Sequence, residues 1–113
     1  MKHFCSTLFM ALIFVSIPSL GASFDCTKAR TEMEKTICND SELNTADETL
    51  GRIYTQLRRT LPRSKFRRLK IKQRAWLKQE RNMCNSDDVA CILQKYQKKD
   101  GRFKAAFPCV QSF

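Results

Sequence analysis

A chain of 113 residues with a formal net charge of +10 has the size of a single domain, and its balance favours anionic partners over cationic ones. Its one histidine, His3, stands at the extreme N-terminus, so Ser-His or Cys-His nucleophilic chemistry lacks its usual base. No Cys-x2-Cys repeat or histidine cluster offers a zinc site; neither enzyme activity nor a cofactor is expected.

Lys2 and His3 precede an almost unbroken apolar run over residues 4–17, and Pro18, Ser19, Gly21, Ala22 and Ser23 follow. A positive start, a short apolar run and a small-residue exit describe a secretory signal peptide, assigned to residues 1–22. The run is shorter than the roughly 20 apolar residues of a membrane span. Cleavage is expected after Gly21, Ala22 or Ser23. Ser23, Phe24 and Asp25 before Cys26 match a lipoprotein signal poorly, so a soluble periplasmic or secreted product is expected. The domain then covers residues 23–107, with a tail at 108–113.

Two close cysteine pairs, Cys26 with Cys38 and Cys84 with Cys91, read as local disulfides of an oxidising compartment. Cys5 leaves with the signal. Cys109 is then the odd cysteine, either an unpaired tail thiol or a bridge between chains.

Thr31 followed by Glu34 has the form of a capping box and starts a short helix through Met33 and Ile37, ending near Cys38 and Asn39. Asn39 or Ser41 can cap a longer helix, along which Leu43, Asp47, Leu50, Tyr54, Leu57 and Leu61 recur on one face. Gly51 lies inside it at a cost of up to about 1 kcal/mol relative to alanine. Pro62 ends that helix. Arg63 or Ser64 restarts the chain into a third, with Phe66, Leu69, Gln73, Trp76 and Leu77 on its buried face. After a break at Asn85, Ser86 and Asp87, the two aspartates 87 and 88 favour a last helix carrying Val89, Ile92, Leu93, Tyr96 and Phe103, stopped by Pro108 at the latest. Strand-like alternation is absent. The expected fold is all-α: a disulfide-stapled bundle of one short and three longer helices.

Charge is segregated. Residues 25–48 hold seven acids and three bases, whereas residues 58–81 hold eleven bases and one acid. Within the apolar stripes stand two polar residues, Asp47 and Gln73. A buried carboxylate needs partners or costs several kcal/mol. Asp47, Gln73 and Trp76 therefore read as a structural polar core, Asp47 accepting from Gln73, the Trp76 indole or a neighbouring arginine.

Asp25-Cys26, Glu34, Ile37-Cys38, Leu43, Asp47, Leu50 and Tyr54, followed by Gln73-Arg74-Ala75-Trp76-Leu77 and Arg81-Asn82-Met83-Cys84, resemble the N-terminal domain family of the bacterial lysozyme inhibitor LprI. The resemblance runs over residues 25–103. It implies a helical exported domain with local disulfides and, as an activity, inhibition of a lysozyme-type hydrolase. One local departure is visible. The arginine usual four positions after the tryptophan stands here as Arg81, five positions on, with Glu80 in the expected place.

Two kinds of partner follow. For a cationic muramidase, the acids Glu32, Asp40, Glu42 and Glu48 are the candidate contacts, although the net charge of this chain opposes long-range attraction. For anionic envelope polymers or membrane surfaces, the basic run from Arg58 to Lys72 is the candidate patch, with Arg67 and Arg68 at its centre. Nucleic acid is not expected, because no aromatic platform alternates with the bases. The sequence leaves the oligomeric state open.

Overall fold

The computed structural model describes residues 23–109. Residues 1–22, expected to be a signal peptide, and the last four residues lie outside the described part. A 3-10 turn at Cys26–Lys28 leads into four helices: α1 (Glu32–Asn39), α2 (Ser41–Thr60), α3 (Arg63–Gln79) and α4 (Val89–Ala106), with a second 3-10 turn at Arg81–Met83 before α4. The described residues are helical with no strand, as the periodicity requires.

Local chemistry sets the helix ends. Thr31 and Glu34 form the reciprocal capping box, the Thr31 hydroxyl accepting from the Glu34 amide and the Glu34 carboxylate from the Thr31 amide. At α2 the cap is Asp40, which accepts from the Leu43 amide at 2.9 Å, rather than the expected Asn39 or Ser41. Asp40 is also the residue just past the end of α1, so a single extended residue turns one helix into the next. Pro62 precedes α3 without a side-chain cap, its missing N–H being no loss there. Asp88 caps α4 through the Cys91 amide.

Helix α2 is the central element and packs against both α1 and α4, with thinner contact to α3. Ile37, Leu43, Ile53, Leu57 and Ile92 are fully buried, and Met33, Leu50, Trp76, Cys84, Tyr96 and Phe103 complete the core. Each such aliphatic side chain contributes about 1.5–3 kcal/mol by leaving water. Ile53 takes the interior place expected of Tyr54, which sits at the edge and meets Phe66 across the α2–α3 hairpin, ring centroids 5.1 Å apart. Trp76 is the one buried residue of α3 and stacks edge-on against Tyr96 of α4 at 5.3 Å. This aromatic contact joins the basic helix to the bundle.

Both close cysteine pairs are disulfides: Cys26–Cys38 fastens the N-terminal turn to the end of α1, and Cys84–Cys91 fastens the second turn to α4. Cys109 is not a free thiol either, which removes the unpaired-tail reading.

Candidate functional site

Asp47 lies on the buried face of α2, 5% exposed, because it occupies a stripe position between Leu43 and Leu50. Three donors meet its carboxylate. The Tyr96 hydroxyl donates to Oδ1 at 2.7 Å, and the Ser23 amide and hydroxyl donate to Oδ2 at 2.8 and 2.6 Å. One side chain thereby ties α2 to α4 and to the segment before Cys26. Gly51, one turn along α2, permits this approach: a Cβ there would stand 2.6 Å from the Ser23 Cβ.

The donors differ from those expected. Neither Gln73 nor the Trp76 indole bonds Asp47; Gln73 Oε1 and Trp76 Nε1 are buried without a hydrogen-bond partner. Both nonetheless border the same cavity of about 370 Å³, together with Asp47, Tyr54, Glu34 and Arg81. Arg81 reaches it because Glu80 ends α3 and the chain then tightens into the 3-10 turn. Its guanidinium donates to the Tyr96 hydroxyl at 3.3 Å and to Asn82 at 3.1 Å. Thus the arginine displaced by one position in the sequence still arrives at the polar cluster.

Electrostatics follow from these contacts. Burial, and then the charge of Asp47, push the Tyr96 hydroxyl well above the ordinary tyrosine range. The backbone N–H groups of Arg30 and Thr31 hold the Glu34 carboxyl below its usual range, and the Arg81 charge adds to this. The cluster contains a buried carboxylate whose bonding is taken up by the Ser23 and Tyr96 donors, a cation and aromatic walls. Its arrangement suits cohesion and binding.

The partner candidates are dispersed. Glu32 pairs with Lys35 at 2.8 Å on the exposed side of α1, Asp40 is a helix cap, and Glu48 pairs with Arg52 one turn along α2. Glu42 borders an open groove beside Leu93 and Gln97. Arg67 and Arg68 are exposed on α3, Arg68 bordering a groove with Leu61 and Phe107. Local duties therefore occupy three of the four acids, while the two arginines are unengaged.

Two residues escaped sequence reasoning. Ser23 stood at the expected signal boundary and gave no sign of reaching Asp47. Lys99, in the run Lys98-Lys99-Asp100, was not among the expected interior residues but is only 8% exposed. Its spacing from Ile92, Tyr96 and Phe103 was the available signal, since steps of four, three and four place all of them on one face. Among the described residues no group of His, Cys, Asp and Glu could hold a metal ion, and no helix is long and apolar enough to cross a membrane.

Comparison with known proteins places residues 26–99 in register with the family described as Lysozyme inhibitor LprI. The protein called Lipoprotein LprI in Mycobacterium bovis and in two strains of Mycobacterium tuberculosis is 30% identical to this chain over 95 residues. The matched part is 82% of this chain and 46% of each relative, so the chain spans about half the length of those proteins. No solved structure matches.

Proposed function

Because the chain belongs to the Lysozyme inhibitor LprI family, we propose that it is an exported, non-catalytic protein that binds and inhibits lysozyme-type peptidoglycan hydrolases. The match over residues 26–99, nearly the whole described domain, carries this reading. Two local disulfides agree with export to an oxidising compartment, after removal of residues 1–22 as a signal. The acids Glu32 of α1, Asp40 at the α1–α2 junction, and Glu42 and Glu48 of the first half of α2 are the contacts proposed for a cationic muramidase. Next to the polar cavity, the turn Arg81–Met83 is braced by the Cys84–Cys91 bridge, and Met83 is 73% exposed. A rigid turn with an exposed apolar tip loses little entropy on docking, which suits an inhibitor.

The basic face supports a second reading, adhesion to anionic envelope polymers or membranes through Arg67, Arg68 and their neighbours. Charge reversal separates the two. Arg67→Glu with Arg68→Glu should spare or improve muramidase binding while weakening attachment to anionic vesicles, and Glu42→Lys with Glu48→Lys should do the reverse. Retained muramidase binding in the acid-reversed variant would remove the acidic face from the account.

A further inference from the structure

Lys99 is the one buried cation of the described residues, and it has no carboxylate partner. Its stem lies along the core, and its ammonium sits 5.6 Å from the Trp76 ring centroid and 5.1 Å from that of Phe103. The ion pairs of the described residues pass it by. Glu80, the acid whose charge acts on it, is itself held by Arg102 at 3.1 Å. Burial lowers the Lys99 pKa, and the Arg102 and Lys72 charges lower it further, with Glu80 opposing. Ring faces compensate such a cation only in part. Lys99 is 8% exposed as a residue, and an ammonium set between two rings without an anion beside it calls for an explanation.

The surroundings supply one. Lys99 borders a cavity of about 430 Å³ between α3 and α4, walled by Leu69, Trp76, Phe103, Ala106 and Phe107. Lys72 and Arg102 stand at the same cavity. A neighbouring groove shares Leu69, Lys72 and Phe107 and extends the apolar floor toward Leu61. The volume falls within the roughly 300–1,000 Å³ typical of small-molecule sites, which are mostly apolar with a few placed polar groups.

We propose that this α3–α4 cavity binds a single-chain anionic amphiphile, an aliphatic chain along Leu69, Phe103 and Phe107 whose carboxylate or phosphate head meets Lys99, Lys72 and Arg102. An apolar floor selects the chain, and three cations against one already paired acid select the head. The site is distinct from the exposed face of Arg67 and Arg68, because it takes one ligand in a cavity between α3 and α4 that neither arginine lines. It rests neither on muramidase inhibition nor on adhesion through Arg67 and Arg68, so its failure leaves both readings intact.

The experiment uses Trp76, the only tryptophan of the chain and a wall of the cavity, as its reporter. The secreted protein, with its disulfides intact, is titrated with decanoate, decyl phosphate, decanol, decyltrimethylammonium, acetate and inorganic phosphate. Decanoate and decyl phosphate should shift the Trp76 emission with saturation at one equivalent, and their ratio tells which head is preferred. Decanol should bind about tenfold more weakly, and the cationic amphiphile and the chainless anions should not bind. Lys99→Met keeps the apolar stem and should bring decanoate down to the affinity of decanol. Ala106→Phe, at an exposed position on the cavity wall, should block both chains while leaving the melting curve unchanged. Equal affinity for decanoate and decanol in the native protein, undiminished decanoate binding in folded Lys99→Met, or an unmoved Trp76 emission at saturating decanoate would overturn the proposal.

Discussion

The Tyr96 hydroxyl donates to Asp47 Oδ1 across 2.7 Å, joining residues 49 positions apart and fixing α4 against α2. Ser23 completes the same carboxylate from the other side. Removing the carboxylate leaves a buried phenol and two Ser23 donors without an acceptor. Asp47→Ala should therefore lower stability by about 3 kcal/mol, and Tyr96→Phe, which leaves Ser23 bonded, by about 1–2 kcal/mol. Urea unfolding of both variants checks the order. An unchanged midpoint in Asp47→Ala would show that the carboxylate does not hold the frame together.

Gly51 carries the second expectation. Alanine in a helix interior normally gains about 1 kcal/mol over glycine. Here the added Cβ meets the Ser23 Cβ and pushes Ser23 off Asp47. Losing two hydrogen bonds to a charged acceptor outweighs the gain, so Gly51→Ala should lose about 1–2 kcal/mol net. In a chain beginning at Phe24 the same substitution should stabilise, and comparison of the two melting curves makes the contact visible.

The alkaline limb of stability depends on two buried groups with opposite signs. The folded-state pKa of Tyr96 is raised above its ordinary 10.0 by burial and Asp47, against the opposing charge of Arg81. Its contribution is complete below pH 10 and is lost as pH climbs toward the raised value, because the unfolded chain releases the proton first. The Lys99 pKa is lowered from 10.5, so the unfolded chain holds the proton longer and stability from this residue rises with pH up to that value. Lys99→Met should therefore unmask a steeper fall in stability above pH 10 than the native chain shows. On the acid side, Asp25, Glu34 and Glu80 have lowered pKa values, through Thr27, the backbone N–H groups of Arg30 and Thr31, and Arg102 respectively. Their contributions are present above the ordinary carboxylate range and fade as pH falls through the lowered values. Unfolding midpoints across pH should show this acid limb flattened in Glu34→Ala.

Each disulfide should count separately. With loops of 12 and 7 residues, loss of either bridge should cost about 2–3 kcal/mol, slightly more for Cys26–Cys38. Paired serine substitutions at Cys26 and Cys38, and at Cys84 and Cys91, measure this by urea unfolding.

The helices were legible in the sequence because local signals agreed: the Thr31–Glu34 box, the apolar steps of three and four, Pro62 and the two aspartates before α4. Where several capping residues adjoined, as at Asn39, Asp40 and Ser41, sequence could not choose, and the tight turn between α1 and α2 selected the middle one. Ile53 was overlooked because the stripe from Leu50 continues equally well by three or by four residues, and packing against α4 decides. Asp47 and Trp76 were recognisable as interior because a polar or bulky residue in an apolar stripe must be accommodated. The identity of the Asp47 donors was not, since Tyr96 and Ser23 reach it only through the tertiary fold. Lys99 shows the same limit: its helical phase pointed inward, while its charge pointed to solvent.

The proposed activity is tested most directly by titrating a lysozyme-type muramidase, acting on a peptidoglycan suspension, with the oxidised protein and with its reduced and alkylated form. The oxidised protein should suppress hydrolysis with saturation near one equivalent at micromolar concentration, and the reduced form should lose that effect as its staples open. Undiminished hydrolysis in the presence of excess folded, oxidised protein would contradict the inhibitor reading.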